Sequence, residues 1–222
     1  DLTLTIFHSE QASILQNSPF TDPKQLPSFD DSIVFFLEQL GEGGFATVQK
    51  AYDKKKNDFI AIKKFKKALK LHSLEQIMLE DDLLRRVEAI RLNEEEFNEY
   101  FLKYDGVFTD PRNLEALILK MESGCANLEN IIEAGKSYSC NELCYVLRKI
   151  VEAFAVLEEH GIANRDVKGR NIILVEDQRH EGRFFYKLAD FGIGCQTSKR
   201  SHIIPASSLG GITRKFAAPE VL

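Results

Sequence analysis

The amino-acid sequence predicts an α+β protein of two lobes, the first dominated by strands with one helix and the second opened by a long helix. Three observations predict it. Short apolar runs bounded by turn residues crowd the stretch from Ile33 to Met121. One segment inside that stretch, SLEQIMLEDDLLRRV, has the period of a helix instead of a strand. A long amphipathic run, CNELCYVLRKIVEAFAVLEEH, then opens the second half.

Residues 1–30 are polar, hold Pro19, Pro23 and Pro27, and show little periodicity. They read as a leader or linker with too little apolar content to order. The first lobe is expected over 31–121. IVFFLEQLGEGGFATVQKAYD reads as strand, glycine-rich turn, strand, and DFIAIKKF as a third strand. Ser73 with Gln76 three residues later predicts a helix start with a capping box. Ile77, Glu80, Leu84 and Val87 then share one helical stripe. An acid on that inward stripe needs a cationic partner, because losing one member of a buried pair costs about 3–5 kcal/mol. FLKYDGVF and LEALILKM are two more strands around the turn-like TDPRN.

The second lobe, 122–222, is expected to divide from the first near Glu122 to Leu128. Ser139 and Glu142 form a second capping box, opening a helix that ends near His160 and Gly161. IILV and FFYKLAD are short strands joined by EDQRHEGR. The chain opens on Asp1 and stops soon after Ala218-Pro219-Glu220, so it is expected to be cut at both ends, with the second lobe incomplete.

Composition excludes several classes. In 222 residues, 29 Lys and Arg against 34 Asp and Glu give a net charge of −5, which argues against a nucleic-acid partner. The lysines between Lys54 and Lys70 and the run Glu94–Glu96 read as solvated faces. Four cysteines form no metal-ligand spacing; Cys140 and Cys144, four apart on a helix, are expected to pack as small apolar groups. A reduced intracellular, cytoplasmic setting is expected. No apolar run reaches the roughly 18 residues that would predict a membrane span.

Four stretches carry candidate chemistry. GEGGFATV, Gly41 to Val48, is a tight hairpin or a turn that lets backbone N–H groups approach phosphate. Lys63 ends an otherwise apolar strand; it faces solvent or pairs with Glu80, seventeen residues on. NRDVKGRN sets Asp166, Lys168 and Asn171 at spacings 0, +2 and +5, either as an exposed polar turn or as a convergent site. Nineteen residues after Asn171, Asp190 opens DFG, a β-turn or a cation ligand. Asn171 and Asp190 are hard oxygen donors of the kind Mg²⁺ takes from a protein while phosphates and waters complete its shell. Asp166 can accept the proton of a hydroxyl, and Lys168 can steady a moving phosphoryl group.

GEGGFATV, IAIK, RDVKGRN, DFG and APE in this order resemble the signature set of eukaryotic protein kinases, from about Ile33 to Leu222. The resemblance implies the bilobal kinase fold, a five-stranded antiparallel sheet with one helix and then a partial, mainly helical lobe, and transfer of the γ-phosphoryl of Mg²⁺-ATP to a protein hydroxyl. It implies that Leu40, Gly41 and Gly43 cover the nucleotide, with Val48, Ala61 and Ile173 around adenine. It makes Met121 the gatekeeper and Glu122 to Gly124, Ser123 included, the hinge. Lys63, paired by Glu80, holds the α- and β-phosphates; Asp166 is the base; Asn171 and Asp190 hold the metal. Phe191 and Leu84 are spine residues.

Lys168 and Thr213 match the Ser/Thr type, and Ala218, Pro219 and Glu220 imply a protein substrate. Arg165 implies control by an upstream kinase or autophosphorylation, at Ser207 or Ser208, with Thr197, Ser198 and Ser201 weaker. Three positions depart from the family pattern. Asn164 stands where His or Tyr is usual and is expected to weaken the stack under Phe191. Ala46 takes the slot of the third glycine, and Ile212 replaces the glycine before Thr213. Asn164 and Ala46 motivate an alternative reading, a pseudokinase acting as a nucleotide-binding scaffold.

Overall fold

The computed structural model describes residues 25–66, 71–177 and 179–196. It has a first compact unit that ends at Asp82 and resumes from Asp105 to Met121, and a second built from Leu83–Tyr104 and the chain from Glu122 on.

The first unit is a five-stranded sheet: β1 (Val34–Glu42), β2 (Ala46–Asp53), β3 (Asp58–Phe65), β4 (Tyr104–Asp110) and β5 (Asn113–Glu122), in the order β1-β2-β3-β5-β4. The five strands match the expected runs. β1 and β3 pair antiparallel with β2, and two register shifts in β1, around Gln39, bend that edge strand just before the glycine turn. Phe29, Val34, Ala51, Ile60, Ile62 and Ile118 form one apolar cluster on the sheet.

Leu26 to Phe29, read from the sequence as the end of a leader, belongs to this unit instead. Leu26 and Phe29 are buried, and Ser28 bridges Thr109 in parallel. The sequence hides this because two apolar residues in polar text carry no period.

Two buried carboxylates of this unit, Asp53 and Asp110, are paired with lysines, and a more exposed pair joins Lys56 to Asp105. Lys120 Nζ lies 2.6 Å from Asp53 Oδ2, and Lys56 Nζ 2.6 Å from Asp105. Lys64 pairs with Asp110. Burial alone would push the Asp53 and Asp110 carboxyls up. Lys120 with the Lys55 and Lys56 N–H groups, and Lys64 with the Arg112 N–H, outweigh it and hold both below the usual range. A lowered folded pKa contributes stability that is complete above the unfolded value, about 3.9, and is lost as pH falls through the folded one. Thermal melts should therefore hold steady as pH falls toward that value and drop below it. Asp53→Asn should flatten the drop, and a wild-type midpoint still steady well below that value would contradict the pairing.

Helix α1 (Leu71–Asn93) begins two residues before Ser73, which corrects the expected start there, and runs on to Asn93. Leu, Glu and Arg dominate it, all strong helix formers. Ile77, Glu80, Leu84 and Val87 are buried as the stripe requires, and Met78, Asp81, Leu83 and Ile90 are buried too, so more than one face is covered.

The second unit contains α2 (Leu128–Glu133) and α3 (Cys140–Glu159) with a three-stranded sheet of β6 (Ala126–Asn127), β8 (Ile172–Glu176) and β9 (Phe184–Leu188). A two-stranded pair joins β7 (Ile162–Ala163) to β10 (Cys195–Gln196). The Ser139 capping box is formed: the Glu142 N–H donates to Ser139 Oγ at 3.2 Å, and the Ser139 N–H to Glu142 Oε2 at 2.8 Å. Val146, Ile150, Ala153 and Leu157 bury one stripe of α3. Cys140 and Cys144 are exposed, which corrects the expected packing: they lie off the buried stripe. No helix among the described residues is long and apolar enough to cross a membrane.

Candidate active site

Three candidate residues of the first unit sit in one row. Gly41 pairs with Val48 and Val48 with Lys63, so the three lie side by side across β1, β2 and β3. Directly opposed residues share a sheet face, and Ala61, two before Lys63, shares it as well. Leu40, next to Gly41, is exposed.

The β1–β2 turn is closed by the Gly43 N–H donating to the Ala46 carbonyl at 2.9 Å. A Cβ added at Gly41 would meet nothing within 4 Å, and one at Gly43 only the Ala46 oxygen at 3.7 Å. Neither has a positive φ. The hairpin itself therefore does not demand glycine at either place. What the missing side chains leave is room outside the turn.

Lys63 Nζ donates to Glu80 Oε1 at 2.6 Å, and Glu80 is only 5% exposed. The inward acid of α1 thus has its cation, from the strand end where the sequence put a lone lysine.

The second unit gathers the other candidates by hydrogen bonds. Lys168 Nζ lies 2.5 Å from Asp166 Oδ2. Asn171 Nδ2 donates at 2.9 Å both to Asp166 Oδ2 and to the Asp166 carbonyl. The Ala189 N–H donates to the Asn171 carbonyl at 2.9 Å, continuing the β8–β9 ladder, so Asn171 and Asp190 stand at the same end of that hairpin. Asp190 Oδ1 accepts from the Gly192 N–H at 3.3 Å, and Phe191 is buried.

The donor chemistry fits magnesium. Asn171 commits its amide N–H to Asp166, which leaves its carbonyl oxygen as the hard donor, and Asp190 adds a carboxylate. Among the described residues no group of three or more His, Cys, Asp or Glu could hold a metal ion. A sparse oxygen set suits a cation that takes most of its shell from phosphates and water.

Ile173 and the segment after Met121 also meet. The Cys125 N–H donates to the Leu174 carbonyl at 2.8 Å, and a Cβ at Gly124 would lie 2.1 Å from Ile173 Cγ2 and 2.6 Å from the Leu174 oxygen. Only glycine fits there. Gly124→Ala should cost about 2 kcal/mol or more by overpacking, lowering the melting temperature by roughly 4–8 °C; an unchanged melt would contradict that packing. Glu122, whose carboxylate is held 2.9 Å from Lys187 Nζ, anchors the same segment.

Two backbone features went unseen in the sequence. Arg165 and Asp190 both adopt left-handed φ, 64° and 60°. Arg165 Nε donates to the Ile193 carbonyl at 2.6 Å. Asn164, which was expected to weaken this region, is buried and bonded on both sides: its Nδ2 donates to the Asp190 carbonyl at 3.0 Å and its Oδ1 accepts from the Asp166 N–H at 3.1 Å. The signal available was the residue type itself, since asparagine readily accepts from the N–H two residues on. Thr197, Ser198, Ser201, Ser207, Ser208, Ile212, Thr213 and Ala218 to Glu220 lie outside the described residues.

The chain is a member of the protein kinase family: the family description "Protein kinase domain" matches residues 35–222. Among its relatives, Serine/threonine-protein kinase 33 of Bos taurus is 28% identical over 86% of this chain and 37% of its own length. MAP3K epsilon protein kinase 1 of Arabidopsis thaliana is 29% identical over 83% of this chain and 12% of its own. Cytokinesis protein sepH of Aspergillus niger is 29% identical over 82% and 12%. The chain therefore spans well under two thirds of the length of these relatives.

Proposed function

We propose that the chain is the catalytic part of an ATP-dependent serine/threonine protein kinase that transfers the γ-phosphoryl of Mg²⁺-ATP to a protein hydroxyl. The observation that carries this reading is the bonded set of Asp166, Lys168 and Asn171, with Asp190 at the same hairpin end. Lys63, held by Glu80, meets the α- and β-phosphates, and the turn at Gly41 and Gly43 leaves room for them. Val48, Ala61 and Ile173 give adenine an apolar bed, beside Met121, Glu122 and Ser123. Magnesium, when bound, neutralises charge on the phosphates; Asn171 and Asp190 would hold it. Asp166 orients the acceptor hydroxyl and takes its proton, while Lys168 steadies the transferring group. The partners are ATP and a protein with a Ser or Thr acceptor. Control by phosphorylation at Ser207 or Ser208, from an upstream kinase or in the chain itself, belongs to the same reading.

The alternative, a pseudokinase scaffold, draws on Asn164 and Ala46 at positions where the family pattern differs. Incubating the full chain with radiolabelled ATP, Mg²⁺ and a generic Ser/Thr acceptor protein separates the two. Label on acceptor Ser or Thr is the expected result; nucleotide binding without any transfer would favour the scaffold.

A further inference from the structure

We infer that Asn164 is a positioning residue, whose side-chain amide ties the Asp190 carbonyl to the Asp166 N–H and so sets the base against the metal ligand. The inference rests on the phosphotransfer reading and adds to it a residue that the reading does not use. Asn164 follows β7, whose pairing with β10 brings the chain around Ala163 against that around Cys195. Between those paired ends lie the two segments that carry the candidate chemistry, 164–171 and 189–194. Pairing at Ala163 and Cys195 leaves the peptides nearest Asp166 and Asp190 outside the ladder.

Asn164 ties these two peptides directly, beside the Ala189 N–H bond to the Asn171 carbonyl. Its Oδ1 accepts from the Asp166 N–H at 3.1 Å, closing a turn over Arg165, which needs φ 64°. Its Nδ2 donates to the Asp190 carbonyl at 3.0 Å, across 26 residues, where Asp190 itself has φ 60°. Both left-handed residues are thereby held by one side chain that is 3% exposed. Arg165 Nε donates to the Ile193 carbonyl, three residues beyond Asp190.

The task needs a donor and an acceptor on one short, neutral group. Aspartate keeps the acceptor and loses the donor, setting a carboxylate oxygen against a carbonyl. Alanine loses both. Asn164 thus replaces the ring that is usual at this position with a polar clamp.

The test compares the full wild-type chain with Asn164→Ala and Asn164→Asp. It measures Mg²⁺ affinity of the ADP-saturated protein by calorimetry, kcat and KM for ATP, and hydrogen exchange at the Asp166 amide. Both variants should lose Mg²⁺ affinity by about 10–100-fold, the usual effect of removing a group that orients a metal ligand. Turnover should fall, and the KM for Mg²⁺-ATP should rise in step with the lost Mg²⁺ affinity. Exchange at Asp166 should quicken in Asn164→Ala and stay slow in Asn164→Asp, which retains the acceptor. If Asn164→Ala does not fold, Asn164→Asp, of nearly equal volume, carries the metal measurement. A folded variant with wild-type Mg²⁺ affinity and turnover overturns the clamp. A wild-type chain that binds Mg²⁺-ADP but transfers no phosphate sinks the kinase reading, while the affinities still decide the clamp. A wild-type chain without Mg²⁺ affinity overturns both.

Discussion

Asp166→Asn should lower turnover by about 10²-fold to 10⁴-fold, the range for loss of a general base, and leave Mg²⁺-ATP affinity close to wild type. The replacement has the same shape, and an amide oxygen can still accept from Asn171 Nδ2, now 2.9 Å away. What it cannot do is take a proton. The anionic partner of Lys168, 2.5 Å from the carboxylate, is lost as well. Steady-state kinetics with calorimetric nucleotide binding reads both quantities, and a melting temperature near wild type shows that the fold is kept. Equal turnover in the variant would dispose of the base role assigned to Asp166.

The second large effect is expected at Lys63. Lys63→Met takes away the ammonium 2.6 Å from a carboxylate that is almost wholly buried. Removing one member of such a pair typically costs about 3–5 kcal/mol, chiefly because a charge is left without compensation in a poor solvent. Nucleotide affinity should fall with it, since the same ammonium is the proposed phosphate ligand. A double-mutant cycle isolates the pair: Lys63→Met with Glu80→Leu should recover much of the stability lost by Lys63→Met alone, because the buried Glu80 carboxylate is then removed as well. Denaturant midpoints check this. A single variant as stable as wild type, or a double variant no more stable than the single, would show that the pair matters little.

Much of this architecture was legible in the sequence, and the reasons are physical. Five strands showed because each is a run of apolar residues ending at turn residues. The α3 start showed because Ser139 and Glu142 satisfy each other's backbone N–H groups locally. Glu80 and Lys63 were each out of place alone, an acid on a buried stripe and a lysine ending an apolar strand, and the structure places them 2.6 Å apart.

What the sequence missed depends on long-range contacts. β6, β7 and β10 are two residues each, too short for any period to register. The helix start at Leu71, in place of Ser73, shows that a cap pattern is a local preference that its surroundings can override. Leu26 and Phe29 are buried only because the sheet offers them a surface. Asn164 was read by comparison with a ring it replaces; its own two bonds involve a carbonyl 26 residues away, which no local pattern reveals.

The proposed function requires Lys63 and Asp190 to act on one magnesium nucleotide. An ATP acyl phosphate, which transfers its acyl group to a lysine amine beside the phosphates, tests it most directly when the labelled residue is located by mass spectrometry. The account predicts label on Lys63, suppressed by excess ATP only when Mg²⁺ is present, and suppression that fails in Asp190→Asn. Label on Lys63 that ignores both ATP and Asp190, or no label there at all, would contradict it.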